Sequence, residues 1–387
     1  MPWPRDDAKL ERVRALMAEE DLDALVVRAP DNVLYLSNFW GMKGYDAVVF
    51  PREAEPTLVA LEPSQDDAAR TAWTSDVRLF KGYNERDPRP PPLRALDLAL
   101  DVARPYDRIG LELSLGTQAS DRMVGEPTTS PKAWFDAFPA AVDCTPLLVR
   151  ARATKTPQEI ERMRLANELA AEAMEHVRRH IRPGMKESEA AALWLGYVHG
   201  VGTGWRDGAV ELALGFSLVW SGPGIRTFTA TGSRPVQEHE PTLFEIWVCA
   251  DGYWCDHTKN VCPGSVDARY EELLEQLLVV YDAAVDQLRP GASLADLDRS
   301  TREAIADAGY AGQPSHPLCH GVGARAHEPP YAHQAATGRV EEGMVLAVEP
   351  GIYWPEGGGL RLEDNFFVTA TGPEKLSPFP DDFRAGS

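Results

Sequence analysis

The chain has 387 residues, is 44% hydrophobic and carries a formal net charge of −20 at pH 7. That length favours two or three domains, and the hydrophobic share fits a globular chain with a full core. The acidic balance argues against charge-driven binding to nucleic acid or to an anionic membrane. No long uncharged apolar run occurs, so no transmembrane helix is expected. The opening Met1-Pro2-Trp3-Pro4-Arg5 lacks the basic-then-apolar pattern of a signal peptide, and a cytoplasmic location is the expectation. Five cysteines (Cys144, Cys249, Cys255, Cys262, Cys319) form no C-x-x-C pair, so they read as small apolar residues rather than a disulfide or zinc framework.

In chain order, residues 8–20 have a helical pattern and Leu25-Val26-Val27 a strand pattern. Ala29-Pro30-Asp31 marks a turn before Asn32-Val33-Leu34-Tyr35-Leu36. Residues 38–44, with Phe39 and Trp40, form an aromatic loop bounded by glycines. Residues 47–50, 57–61 and 108–112 read as strands, and the charged, proline-rich 84–92 as a surface loop. This half alternates strands and helices, an α/β layout. A boundary falls near residue 150. Beyond it Thr156 is placed to cap a helix, with Pro157 at the first helical position and Glu159 completing a capping box; the helix runs to about His180.

The second half contains an internal echo. Arg182-Pro183-Gly184 and Arg289-Pro290-Gly291 each end one helix and precede another, and each helix pair is followed by strand-like sequence. A repeated unit of this kind predicts a pseudo-two-fold α+β domain. Within its first strand set, Asp251-Gly252 separates two apolar runs and signals a hairpin. A two-residue loop places Ala250 opposite Tyr253 and residue 247 opposite 256. Glu245 and Asp256 then share one face as diagonal neighbours. Two acids among Leu, Trp and Cys are costly to bury as anions, so that face is either wet or holds something positive.

Further single acids and histidines stand in apolar or glycine-rich strings downstream: His320, His327, Glu349 and Glu363. Glu245, Asp256, His320, Glu349 and Glu363 together give four carboxylates with one imidazole, a hard, oxygen-rich set that suits divalent cations and hydrolysis. His176 and His180 read as surface residues and His239 as part of a turn, whereas His316 and His333 flank the motif strings as candidate substrate contacts.

The strings Asp256-His257-Thr258-Lys259, His320-Gly321-Val322-Gly323, His327-Glu328-Pro329, Glu349-Pro350-Gly351 and Arg361-Leu362-Glu363-Asp364 resemble the motifs of the pita-bread hydrolases. These are the family of prolidase, aminopeptidase P, methionine aminopeptidase and creatinase. The resemblance covers nearly the whole chain. It implies a creatinase/prolidase-like N-terminal domain over 1–150 and a pita-bread catalytic domain over 151–387. It implies two divalent metal ions (Mn, Co, Fe or Zn), with Asp256 and Glu363 bridging, Glu245 on one metal, and His320 with Glu349 on the other. By the same resemblance Glu349 takes a proton from water, His327 donates to the oxyanion or leaving nitrogen, and Arg361 orients a carboxylate. A homodimer is implied, in which the loop bearing Trp40 reaches the partner's site.

Two positions depart from the family pattern. Glu245 stands where the metallopeptidases have Asp, and no His follows Ser221-Gly222-Pro223; Arg226 and Phe228 are there instead, as candidate substrate contacts. The leading expectation is an Xaa-Pro peptidase of prolidase or aminopeptidase P type, acting through a metal-bridging hydroxide on a small peptide. The alternative is a metal-independent amidohydrolase, like creatinase or ectoine hydrolase, acting on a small non-peptide substrate. A third reading is a non-catalytic binding module.

Overall fold

The computed structural model describes residues 3–41, 43–114, 132–225, 229–310, 316–354 and 356–380. The chain divides into two compact units, Met1–Arg152 and Ala153–Ser387.

The first unit is built on a mixed six-stranded sheet. Its strands are β1 (Ala24–Val27), β2 (Ala47–Pro51), β3 (Thr57–Leu61), β4 (Val77–Phe80), β5 (Ile109–Leu111) and β6 (Val142–Asp143), in the order β4-β3-β2-β1-β5-β6. Alternation along the strands feeds two separate cores. Leu25, Val27, Val48 and Phe50 pack under Leu10, Val13 and Met17 of the helix Asp7–Glu19. Val26, Ala47, Val49 and Val59 pack under Ala95, Leu96 and Ala99 of the helix Pro91–Ala103. The Ala29-Pro30-Asp31 turn differs from expectation: it opens the helix Pro30–Ser37, with Pro30 in its first turn. Proline's fixed φ suits that position, and the buried Glu112 carboxylate accepts the backbone N–H groups of Arg28 and Ala29 just before it. Asn38, at φ 59, ends the helix and releases the chain into the loop bearing a half-buried Trp40.

The second unit begins with the helix Pro157–His180, whose Thr156/Glu159 capping box is complete. It and the helix Glu187–Val201 lie against a meander of β7 (Ala213–Ser221), β8 (Thr242–Ala250) and β9 (Tyr253–Val261). The helices Ala268–Asp286 and Leu294–Asp307 then cover a second sheet. It comprises β10 (Cys319–Gly321), β11 (Glu328–Ala332), β12 (Val345–Val348), β15 (Asp364–Thr369) and β16 (Gly372–Lys375), in the order β11-β10-β12-β15-β16. A ribbon of β13 (Gly351–Trp354) and β14 (Gly358–Arg361) leaves this sheet.

The echo in sequence is an echo in structure. Gly184 and Gly291 turn at φ 87 and 92. Their amides donate to Val236 and Val340 at 2.8 Å in each case, and bridges pair Lys186 with Pro235 and Ser293 with Arg339. The two halves meet where Thr258 bridges Glu363.

The hairpin that carries the acids has the register its loop dictates: Ala250 faces Tyr253, Trp247 faces Asp256 and Glu245 faces Thr258. Asp251 and Gly252 both have positive φ, 48 and 88, the two-residue turn that matches strand twist. Asp251 is held there by amides of Glu211 and Leu212. A Cβ at position 252 would carry the left-handed penalty. Gly252→Ala should therefore lower the unfolding free energy by about 1 kcal/mol, read as a reduced urea midpoint with an unchanged m-value.

Candidate active site

Side-chain alternation places Glu245, Trp247, Asp256 and Thr258 on the sheet face turned away from the helices. Gly215, on the opposite face, has Trp194 of the helix Glu187–Val201 where a Cβ would stand. β10 brings His320 to the same place. Its Nε2 lies 3.6 Å from Asp256 Oδ2, 3.6 Å from Glu349 Oε1 and 3.8 Å from Glu363 Oε1. His320 Nδ1 is 3.0 Å from the Gly321 carbonyl, so it carries the proton and Nε2 presents a lone pair inward. His327 Nε2 approaches Asp256 Oδ2 at 3.3 Å, with its ring 4.3 Å from that of His320.

Two sets of atoms converge closely enough to hold a cation: Asp256, His320 and His327, and His320, Glu349 and Glu363. Both Asp256 oxygens and His320 Nε2 are buried without a well-formed hydrogen bond. Leaving buried polar atoms in that state costs about 1–3 kcal/mol each, so these three atoms are suited to a cation placed among them.

Glu245 belongs to neither set. Its Oε2 lies 2.7 Å from Arg361 Nη2. Arg361 also donates from Nε to Thr258 Oγ1 at 2.7 Å and from Nη1 to the Tyr353 hydroxyl at 3.3 Å. Thr258 in turn donates to Glu363 Oε2 at 2.7 Å. One guanidinium thus spans the two halves and connects the outer acid, Glu245, to the inner one, Glu363.

The acids are unequal. Burial, followed by the charges of Glu363, Glu245 and Glu349, pushes Asp256 well above the usual carboxylate range. Burial and then Glu363 do the same to Glu349. Glu363 is equally buried, but the neighbouring His320 and the charge of Arg361 hold it down at about 2. His316 contacts Glu349 Oε2 at 3.3 Å and Tyr353 at 3.0 Å; burial and then Arg361 push it down to about 3, so it serves as a neutral hydrogen-bonding group.

The ligand-bearing strands are braced from behind. Asn365 accepts from the Asp256 amide at 3.0 Å and donates to its carbonyl at 2.8 Å. Asp364, fully buried, is met by Lys259, Lys375, Tyr281 and Ser377. Against its burial, Lys259 and then His257 keep it well below the usual carboxylate range. The loop to His327 is fixed by the buried Lys155–Glu328 pair at 2.9 Å and by the Trp254 amide on Gly323.

Of the residues singled out from sequence, Glu245, Asp256, His320, His327, Glu349, Arg361 and Glu363 are brought together, and His316 joins them. His333 is exposed, capping Ala335. Arg226 and Phe228 lie outside the described residues, and Trp40 belongs to the first unit. Thr258, Tyr353, Asn365 and Trp247 were not singled out. The hairpin register alone would have placed Trp247 and Thr258 on the acid-bearing face.

The sequence pattern of metallopeptidase family M24 matches residues 161–370, and that of the creatinase/prolidase N-terminal domain matches residues 9–154. The chain belongs to metallopeptidase family M24. Among M24 relatives, the Xaa-Pro dipeptidase of Lactobacillus delbrueckii subsp. lactis is 26% identical over 377 residues, covering 94% of this chain and 95% of that protein. The Xaa-Pro dipeptidase of Pyrococcus furiosus is 26% identical over 369 residues, covering 95% and 97%. The fold is similar to that of the Xaa-Pro dipeptidase from Bacillus anthracis, with TM-score 0.79, 22% identity and coverage of 97% and 99%. It is equally similar to the X-Pro aminopeptidase of Thermotoga maritima, with TM-score 0.79, 22% identity and coverage of 97% and 98%. The two-domain pita-bread architecture is therefore that of this family, and the protein is an M24 hydrolase. Among the described residues no helix is long and apolar enough to cross a membrane.

The unequal acids carry a pH consequence for the M24 chain without metal. Asp256 and Glu349 keep their protons when folded, at pH values where the unfolded chain has lost them. Their contribution is complete below about pH 4 and falls as pH rises toward their folded values. Glu363 acts oppositely, but only below that window. Chelator-treated protein should therefore lose urea stability as pH rises above the ordinary carboxylate range, and Asp256→Asn should flatten the slope. An unchanged slope in the variant would show that the pair is not responsible.

Proposed function

We propose that this M24 protein is a metal-dependent hydrolase of C–N bonds of the Xaa-Pro peptidase type, with two divalent cations held by Glu245, Asp256, His320, Glu349 and Glu363. The observation that supports this most is that Asp256 and His320, both buried without a well-formed hydrogen bond at Oδ1, Oδ2 and Nε2, stand 3.6 Å apart (Oδ2 to Nε2) within the two groups of atoms close enough to hold a cation. Glu245, outside both convergent sets, would have to contribute through Oε1, because Oε2 is engaged by Arg361. Bound cations would supply Lewis acidity that acidifies a water and polarises a carbonyl.

The chain's own residues do the rest. Asp256 and Glu363, each within reach of His320 Nε2, would both hold the cations. Glu349, whose carboxylate burial makes more basic than usual, is suited, once ionised, to receive the proton of the attacking water and pass it on. His327, a third exposed and 3.3 Å from Asp256, stands at the rim to donate toward the developing oxyanion or the leaving nitrogen. Arg361 fixes Glu245 and Thr258 and keeps the outer acid from swinging into solvent.

Protein purified without chelator should contain close to two transition-metal ions per chain by elemental mass spectrometry. With added Mn or Co it should cleave Xaa-Pro dipeptides, and His320→Ala should lose this turnover by about 100-fold or more. Full activity after complete removal of metal would overturn the reading.

The Glu245–Arg361 pair favours a second reading, direct carboxylate catalysis on a small amide without metal, in which Glu245 or Asp256 is nucleophile or base and His327 the acid. Glu245→Asp separates the two. A metal site should tolerate the shorter acid and keep substantial activity, whereas a positioned nucleophile should not.

A further inference from the structure

One wall of the site is unlike the others. β7 is an edge strand, and its register sets Phe216 opposite Trp247, which itself faces Asp256. Leu214, Phe216 and Leu218 share the face of Glu245 and Trp247 and are all half-buried. Gly215, Ser217 and Val219 turn toward the helices instead, Gly215 resting on Trp194 and Val198. Three consecutive site-facing positions of β7 thus carry apolar side chains, while β9 opposite them carries Asp256 and Thr258.

Trp247 gives this wall its rigidity. It is 2% exposed. Its ring meets Phe216 at 5.4 Å and His327 at 6.2 Å, and it stands directly across the hairpin from Asp256. The indole therefore fills the space beside Asp256 and cannot swing away without uncovering the core. Phe216 rests on it, half-buried on the face of Glu245. Phe216, Trp247 and His327 thus form a row of neighbouring rings.

We infer that Phe216, backed by Trp247, is a specificity-determining surface that takes a bulky aliphatic or aromatic substrate side chain flanking the scissile C–N bond. This rests on the hydrolase reading above and adds the class of side chain accepted. The polar backbone of the substrate faces the carboxylates and His327, and its apolar side chain covers the open part of the Phe216 ring. Removing apolar surface from such a pocket reduces discrimination by about 10- to 100-fold.

The test compares wild type, Phe216→Ala and Phe216→Leu, all loaded with Mn. Phe216 is half-buried on an edge strand, so truncation leaves the helix-facing core intact. Two readouts are taken: kcat/KM for Leu-Pro and Phe-Pro against Gly-Pro, and calorimetric binding of L-phenylalaninamide against glycinamide. The wild type is expected to favour the bulky partner in both. Phe216→Ala should lose that preference by about 10-fold or more, and Phe216→Leu should recover part of it. The inference is overturned by equal preference in wild type and Phe216→Ala, or by a wild type with no preference in either readout. Absence of any Xaa-Pro turnover, with the binding preference intact and lost in Phe216→Ala, would instead overturn the peptidase reading and leave the apolar surface standing.

Discussion

Four carboxylates gathered in one buried place repel one another, and much of the second unit is an answer to that repulsion. A shared guanidinium and selective protonation divide the charge. Arg361 neutralises Glu245 and Glu363 together, His320 faces three acids at once, and Asp256 with Glu349 hold protons that Glu363 does not. Such a centre is unfavourable for the chain alone and well matched to cations. The hardness of the ligands and the lone pair of His320 Nε2 suit first-row divalent ions.

The cost of assembling it is met by the frame behind it. Asn365 fixes the backbone of Asp256 through a reciprocal pair of hydrogen bonds, and Lys259 and Lys375 converge on Asp364 one residue from Glu363. The pseudo-two-fold arrangement gives each half its own helix pair, turned by Gly184 or Gly291 onto its sheet. The active groups then lie where the two sheets meet, so neither half alone contains the site.

Much of this was legible in the sequence because local rules governed it. Asp-Gly sets a two-residue turn, and parity then forces Glu245, Trp247, Asp256 and Thr258 onto one face. The Thr156–Glu159 capping box and the Pro-Gly echo mark helix ends for equally local reasons. The Ala29-Pro30-Asp31 segment misled because proline serves turns and helix starts alike, and Glu112, far off in sequence, helps to favour the helix. The Arg361–Glu245 pair and the clamp of Asn365 on Asp256 were not legible. They join residues more than a hundred positions apart, brought together only when the two halves close. Trp247 was overlooked because a tryptophan in an apolar strand looks like core, which it also is.

The segment from Arg361 to Asn365 alternates its duties with the pleat. Arg361 and Glu363 point to the acids, Leu362 and Asp364 point into the interior behind, and Asn365 reaches back to the Asp256 backbone. Inserting or deleting one residue there would exchange the two faces, sending a lone charge into the core and a leucine into the centre. This stretch can therefore diverge by substitution but not in length. The freedom to acquire new substrates lies instead with the edge strand β7, where side chains can change size without disturbing any acid.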